Sequence, residues 1–163
     1  MAEDINERMD KFAARRGLRR IGWLGSGIHG SVFTVEDNYR MGVFAVKIHE
    51  AGVPYKRERD AYERLMEVAV LDVRGFRIPR LLACDDELLA IEMTIVKPPW
   101  VLDFAGAWLD FPPRFSEEVI AEWRRKNEEQ FGEDWPMAQI ILGDLEDMGI
   151  HMLDPTPSNI CFR

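Results

Sequence analysis

Cysteine is scarce: Cys84 and Cys161 are the only two in 163 residues, and they form no C-x-x-C pair or Cys/His cluster. That excludes a disulfide framework and suits a reducing compartment, with both thiols read as packing residues. No apolar run approaches the ~18 residues needed to span a bilayer. The opening MAEDINERMDKF is too charged for a secretory leader. Basic residues are outnumbered, 21 Lys and Arg against 29 Asp and Glu, for a net charge of -8. This balance argues against a nucleic-acid or anionic-membrane partner. Repeats and low-complexity tracts are absent too. What remains is a chain that is 47% hydrophobic, enough to bury a real core. It reads as a cytoplasmic globular protein.

The apolar pattern sets out the elements. Ile5, Met9, Phe12 and Ala13 recur at helical spacing, with Gly17 as a stop. Strands are predicted around Leu18–Trp23, Ser31–Val35 and Val43–Ile48, with a glycine-rich turn after the first and Asp37-Asn38 after the second. Pro54 opens a helical pattern in which Glu58, Tyr62 and Leu65 share a face. Two more strands follow, near Arg80–Ala83 and Leu88–Val96, turned by Asp85-Asp86. Ser116 is placed to cap a helix running to Phe131, and Pro136 to open a last helix stopped by Gly149.

Three features carry chemistry. Gly25-Ser26-Gly27-Ile28-His29-Gly30-Ser31-Val32 spells G-x-G-x-x-G-x-V. Glycines let a backbone approach phosphates closely. A dinucleotide-binding turn would open a helix there, whereas here a β-branched run follows. A ligand-free glycine hairpin is the bland alternative. Next, Lys47 ends the apolar run Val43-Phe44-Ala45-Val46, where a charge is costly without an anion; a lysine snorkelling from a strand end would look the same. Third, Glu58 lies on the face of its helix that should be buried, and needs a cation unless it sits at a wet rim. Pairing Lys47 with Glu58 explains both.

Together these resemble protein kinases, whose signature joins that glycine loop, a V-A-I-K-type lysine strand and a helix glutamate. The resemblance implies that Gly25, Ser26, Gly27 and Gly30 cradle ATP phosphates, and that Lys47 holds the α- and β-phosphates with Glu58 orienting it. It implies that Val32 and Ala45 roof the adenine, that Met93 is the gatekeeper, and that the backbone of Thr94 to Val96 meets the adenine edge. The eleven-residue step from Lys47 to Glu58 is short, which keeps Glu63 as a fallback.

Near the end, Gly149-Ile150-His151-Met152-Leu153-Asp154-Pro155-Thr156-Pro157-Ser158-Asn159 resembles the kinase catalytic loop H-R-D-L-x-x-x-N. Asp154 is then the catalytic base and Asn159 a Mg2+ ligand; a simple proline-rich turn is the bland alternative. The chain departs from the pattern in several places. Met152 and Leu153 fill the His and Arg positions, Thr156 replaces a lysine often found two residues after the aspartate, and no D-F-G follows Asn159. Asp103-Phe104-Ala105 looks like D-F-G, but it precedes the loop and is set aside; Asp144 and Asp147 are candidate substitutes.

The expected fold is α+β and protein-kinase-like: a bilobed chain with a five-stranded antiparallel sheet and one regulatory helix over residues 1–96, and a minimal helical lobe over 97–163. The expected function is ATP- and Mg2+-dependent phosphoryl transfer to a protein or small-molecule hydroxyl. The alternative is a pseudokinase that binds nucleotide or a regulatory protein partner without catalysis.

Overall fold

The computed structural model describes residues 4–163. Its first element, α1 (Ile5–Arg16), ends where the sequence says it should. Gly17 takes a left-handed conformation at φ 67 and its N–H closes on the carbonyls of Ala13 and Ala14. Then follow β1 (Arg19–Gly27), β2 (Gly30–Asp37), β3 (Gly42–His49), α2 (Gly52–Glu67), β4 (Asp72–Val73), β5 (Phe76–Arg77), β6 (Leu81–Asp85) and β7 (Ala90–Thr94). The remainder comprises β8 (Val101–Leu102), β9 (Ala107–Leu109), α3 (Glu117–Phe131), a 3-10 turn (Gly132–Asp134), α4 (Trp135–Asp147), β10 (Ile150–Met152) and β11 (Ile160–Cys161). The fold is α+β. Among the described residues, no helix is long and apolar enough to cross a membrane.

The chain divides into two units. One holds the residues up to Arg59 together with Pro79–Ile95; the other holds Asp60–Ile78 and Val96–Arg163. Helix α2 contributes its first half to one unit and its second half to the other.

The first unit is built on a five-stranded antiparallel sheet in the order β1-β2-β3-β7-β6. Side chains alternate between its faces. Phe33 and Val35 of β2 and Val46 and Ile48 of β3 point one way, and α1 closes over them with Met9, Phe12 and Ala13. Burying a side chain the size of Met9 or Phe12 contributes about 1.5–3 kcal/mol each, which is why this short helix stays on the sheet. Glu92 of β7 is fully buried and ion-paired with Arg16 of α1, at 3.1 Å, and with Arg40 of the β2–β3 turn. That turn is fixed by Asp37, whose carboxylate accepts from the N–H groups of Tyr39 and Arg40. The other face of the sheet carries Val32, Ala45, Lys47 and Met93, neighbours by register: Val32 lies opposite Lys47 and Ala45 opposite Met93.

Two local expectations change. Helix α2 starts at Gly52, two residues before Pro54; a proline fits that first turn because the N–H groups there have no intrahelical partner. Cys84 is exposed on β6 rather than packed inside, while Cys161 donates its Sγ–H to the Arg163 carbonyl at 2.9 Å.

The second unit has a four-stranded sheet, β11-β8-β5-β4, and a two-stranded one, β10-β9. Tyr62 of α2 packs edge-to-face on Phe104, ring centres 5.4 Å apart, and both are buried. Helix α3 is capped by Ser116, whose hydroxyl accepts from the Val119 N–H, and it runs to Phe131 as expected. Helix α4 buries Ala138, Ile141, Leu142 and Leu145 along one face. Strands β4, β5, β8, β9 and β10 span only two or three residues each, too short for alternation to register in a sequence.

Candidate functional site

In the first unit the glycine segment is a tight hairpin. β1 runs to Gly27 and β2 begins at Gly30, so only Ile28 and His29 lie in the turn. The glycines serve different purposes. A Cβ on Gly30 would lie 2.1 Å from the Ile48 carbonyl oxygen and 2.9 Å from the His49 Cα, so only glycine lets β2 lie against β3 here. Gly25 has φ 154, a region that L side chains avoid, and a Cβ there would meet nothing within 4 Å. Gly27 is equally open. Gly30 is therefore explained by packing, while the open backbone at Gly25 and Gly27 is room that packing does not use. Ser26 between them is exposed.

The pairing of Lys47 with Glu58 is present. Lys47 Nζ lies 2.9 Å from Glu58 Oε1 and 2.7 Å from Oε2. Both are buried, at 8% and 0% exposure. Burial alone pushes the Glu58 carboxyl up; the Lys47 ammonium and His49 outweigh it and hold the group below the ordinary carboxylate range. Glu63 is exposed, so the fallback is not needed. His49 is a partner the sequence reading missed: its Nε2 lies 2.8 Å from Glu58 Oε2, and it is fully buried. One clue was available, since β-alternation puts residues 47 and 49 of an extended strand on one face.

Val32, Ala45 and Met93 share the sheet face of Lys47, with Ala45 and Met93 buried. Thr94 is committed within the sheet: its N–H donates to the Arg80 carbonyl at 3.0 Å, and its hydroxyl accepts from the Arg80 N–H at 2.8 Å. Val96 belongs to the second unit. The backbone run Thr94 to Val96 is thus divided, and Thr94 has no N–H left for an outside acceptor.

In the second unit, Asp154 is exposed, and its Oδ1 accepts from Lys126 Nζ of α3 at 2.8 Å. The loop lacks a lysine two residues after Asp154, and a lysine from α3 stands beside it instead. Thr156 makes the loop rigid: its N–H and hydroxyl both donate to Asn159 Oδ1, at 3.1 and 2.9 Å. His151 sits on β10 opposite Trp108, and nothing brings it to Asp154 in place of the missing loop histidine.

Asn159 is 9% exposed, and its Nδ2 donates to Asp103 Oδ2 at 3.3 Å. The reason is topological. β8 pairs antiparallel with β11, Leu102 opposite Ile160, so the residue after β8 meets the residue before β11. The Asp103 N–H also donates to the Asn159 carbonyl at 2.8 Å. The Asp103-Phe104-Ala105 segment, set aside in sequence because it precedes the loop, lies in the fold beside Asn159. Strand β9, after this segment, pairs with β10, before the loop. Of the proposed substitutes, Asp144 is held by Arg74, with Nε to Oδ2 at 2.6 Å and Nη2 to Oδ1 at 3.1 Å, and Asp147 is exposed on the last turn of α4.

Among the described residues no cluster of three or more His, Cys, Asp or Glu could hold a metal ion. An Asp–Asn pair of oxygen donors still suits Mg2+, which keeps several waters and takes one or two protein ligands plus substrate phosphates. Here the Asn159 amide presents nitrogen to Asp103; ligation requires it to turn over and exchange its bonds to Thr156. Comparison with protein-family models, curated proteins and solved structures returns no match.

Proposed function

We propose that this chain is a protein-kinase-like, bilobed phosphotransferase that binds ATP with Mg2+ and passes the γ-phosphoryl group to a hydroxyl of a protein or small molecule. The observation that carries the reading is the buried Lys47–Glu58 pair, on the same sheet face as Val32, Ala45 and Met93 and in the unit that holds the open glycine hairpin. A buried ion pair is poor evidence of stability, because desolvation offsets much of the attraction. Its presence here is better accounted for by a lysine held ready for an anion.

In this reading the first unit holds the nucleotide. Gly25, Ser26 and Gly27 lie over the phosphates, Lys47 holds the α- and β-phosphates, and Val32, Ala45 and Met93 line the adenine. The adenine edge falls to the backbone after Thr94. The second unit supplies the chemistry. Asp154 takes the proton of the acceptor hydroxyl as its oxygen bonds to the γ-phosphorus and the bond to the β-phosphate oxygen breaks, releasing ADP. Lys126 is placed to offset charge at Asp154. Asn159 and Asp103 would hold the ion, which when bound neutralises charge on the phosphates. Asp103 would supply a carboxylate beside Asn159.

A second reading, nucleotide binding without transfer, draws on Met152 and Leu153 in place of the loop's His-Arg pair and on the bonds that Thr156 makes to Asn159 Oδ1. Incubation with ATP separates the two. Transfer predicts Mg2+-dependent ADP formation by the wild type that Asp154→Asn removes. Binding without turnover would decide for the second reading.

A further inference from the structure

His49 is fully buried, carries a titratable ring, and has no role in the transfer just described. Its surroundings are specific. Its backbone N–H donates to the Leu89 carbonyl at 2.9 Å, and its ring stands edge-on to Tyr55, centres 5.5 Å apart. The Tyr55 hydroxyl is in turn tied to Asp86 at 2.6 Å. The ring is held at Nε2, which lies 2.8 Å from Glu58 Oε2. A carboxylate only accepts, so Nε2 is the donor in this contact.

The two oxygens of Glu58 are served unequally. Oε1 receives Lys47 at 2.9 Å; Oε2 receives Lys47 at 2.7 Å and His49 at 2.8 Å. A lysine that reaches for a phosphate must loosen its hold on this carboxylate, and an unpaired buried carboxylate is expensive. Oε2 is the oxygen that Lys47 can release without leaving it bare.

We propose that His49 is a positioning residue: its Nε2–H keeps Glu58 in place while Lys47 swings off Oε2, retains Oε1 and turns its ammonium to a nucleotide phosphate. The handover rests on the nucleotide reading above. The redundancy of partners at Glu58 does not, and it is tested separately.

A melting cycle comes first, without nucleotide: wild type, Lys47→Met, His49→Phe and the double variant. Each single change leaves Glu58 one partner, and the double leaves none. The double variant is expected to lose roughly 5 °C or more beyond the sum of the singles. Additive losses overturn the proposal. Should the double variant not fold, adding Glu58→Met must restore folding, because it removes the orphaned charge; a triple variant that also fails to fold overturns the proposal. The nucleotide arm follows. His49→Phe should bind ATP about tenfold more weakly, the size of a lost hydrogen bond to a charged group. His49→Gln, which offers an amide N–H, should recover most of that loss, as a merely space-filling ring would not allow. Equal ATP affinity in wild type and His49→Phe overturns the handover. No ATP binding by the wild type overturns the nucleotide reading and the handover with it, and the melting cycle still decides whether His49 holds Glu58.

Discussion

The glycine hairpin offers the sharpest contrast between residues kept for packing and residues kept for a ligand. Replacing Gly30 with alanine puts a methyl carbon 2.1 Å from the Ile48 carbonyl oxygen and 2.9 Å from the His49 Cα. Both are backbone, so β2 and β3 must part, in a backbone already at φ 147. The strain and the lost pairing together cost about 3 kcal/mol or more, and for a chain of this length each kcal/mol lowers the melting point by roughly 2–4 °C. Gly30→Ala should therefore melt about 6–12 °C below wild type. Gly27→Ala meets nothing within 4 Å and has no left-handed φ; its stability should stay within ~0.5 kcal/mol of wild type. If Gly27 is open so that a phosphate can approach, this harmless-looking variant should still weaken ATP binding. Thermal melts with and without ATP read both effects. A Gly27→Ala protein with wild-type stability and wild-type ATP affinity would refute the assignment of the hairpin to phosphate, and a Gly30→Ala protein with an unchanged melting point would refute the packing argument.

Three further outcomes follow from the same geometry. Asp103→Asn keeps an acceptor for the Asn159 Nδ2, so the melting point should hold, while Mg2+ affinity in the presence of ATP falls by at least about 10-fold, the low end of the loss when a residue that only supports a metal ligand is changed; a metal titration at fixed ATP reads it. Glu58 binds fewer protons folded than unfolded because its carboxyl is held low, so its contribution is present above the unfolded carboxylate value of ~4.3 and is lost as pH falls below it. Melting curves from pH 7 to 3 should accordingly fall more steeply for wild type than for Glu58→Gln. Ser116→Ala removes the cap of α3 and should cost about 0.5–2 kcal/mol, visible as a lower melting point without loss of ATP binding.

Much of the first unit was legible because its signals are local. Long β-branched strands, a glycine at a helix end and aspartates in turns each state their conformation within a few residues, and the five-stranded sheet follows from them. The Lys47–Glu58 pair was legible as well, since a charge in an apolar run and a carboxylate on a buried helix face each demand a partner. His49 was hidden because one histidine at a strand end has many uses, and only the register of β3 against α2 shows which it takes. Asp103 was hidden for a different reason. A D-F-G match depends on chain order, whereas a two-residue antiparallel pairing of β8 with β11 brings together residues 56 positions apart. Lys126 escaped likewise, as a lysine in a charged helix that becomes informative only beside Asp154.

The central claim is that Lys47 is held for a nucleotide phosphate, and calorimetric titration of ATP with Mg2+ into wild type and Lys47→Ala tests it most directly. The account predicts saturable binding by the wild type, weakened when Mg2+ is withheld, and at least about tenfold weaker binding by Lys47→Ala. No heat of binding at millimolar ATP, or equal affinity in the two proteins, would contradict it.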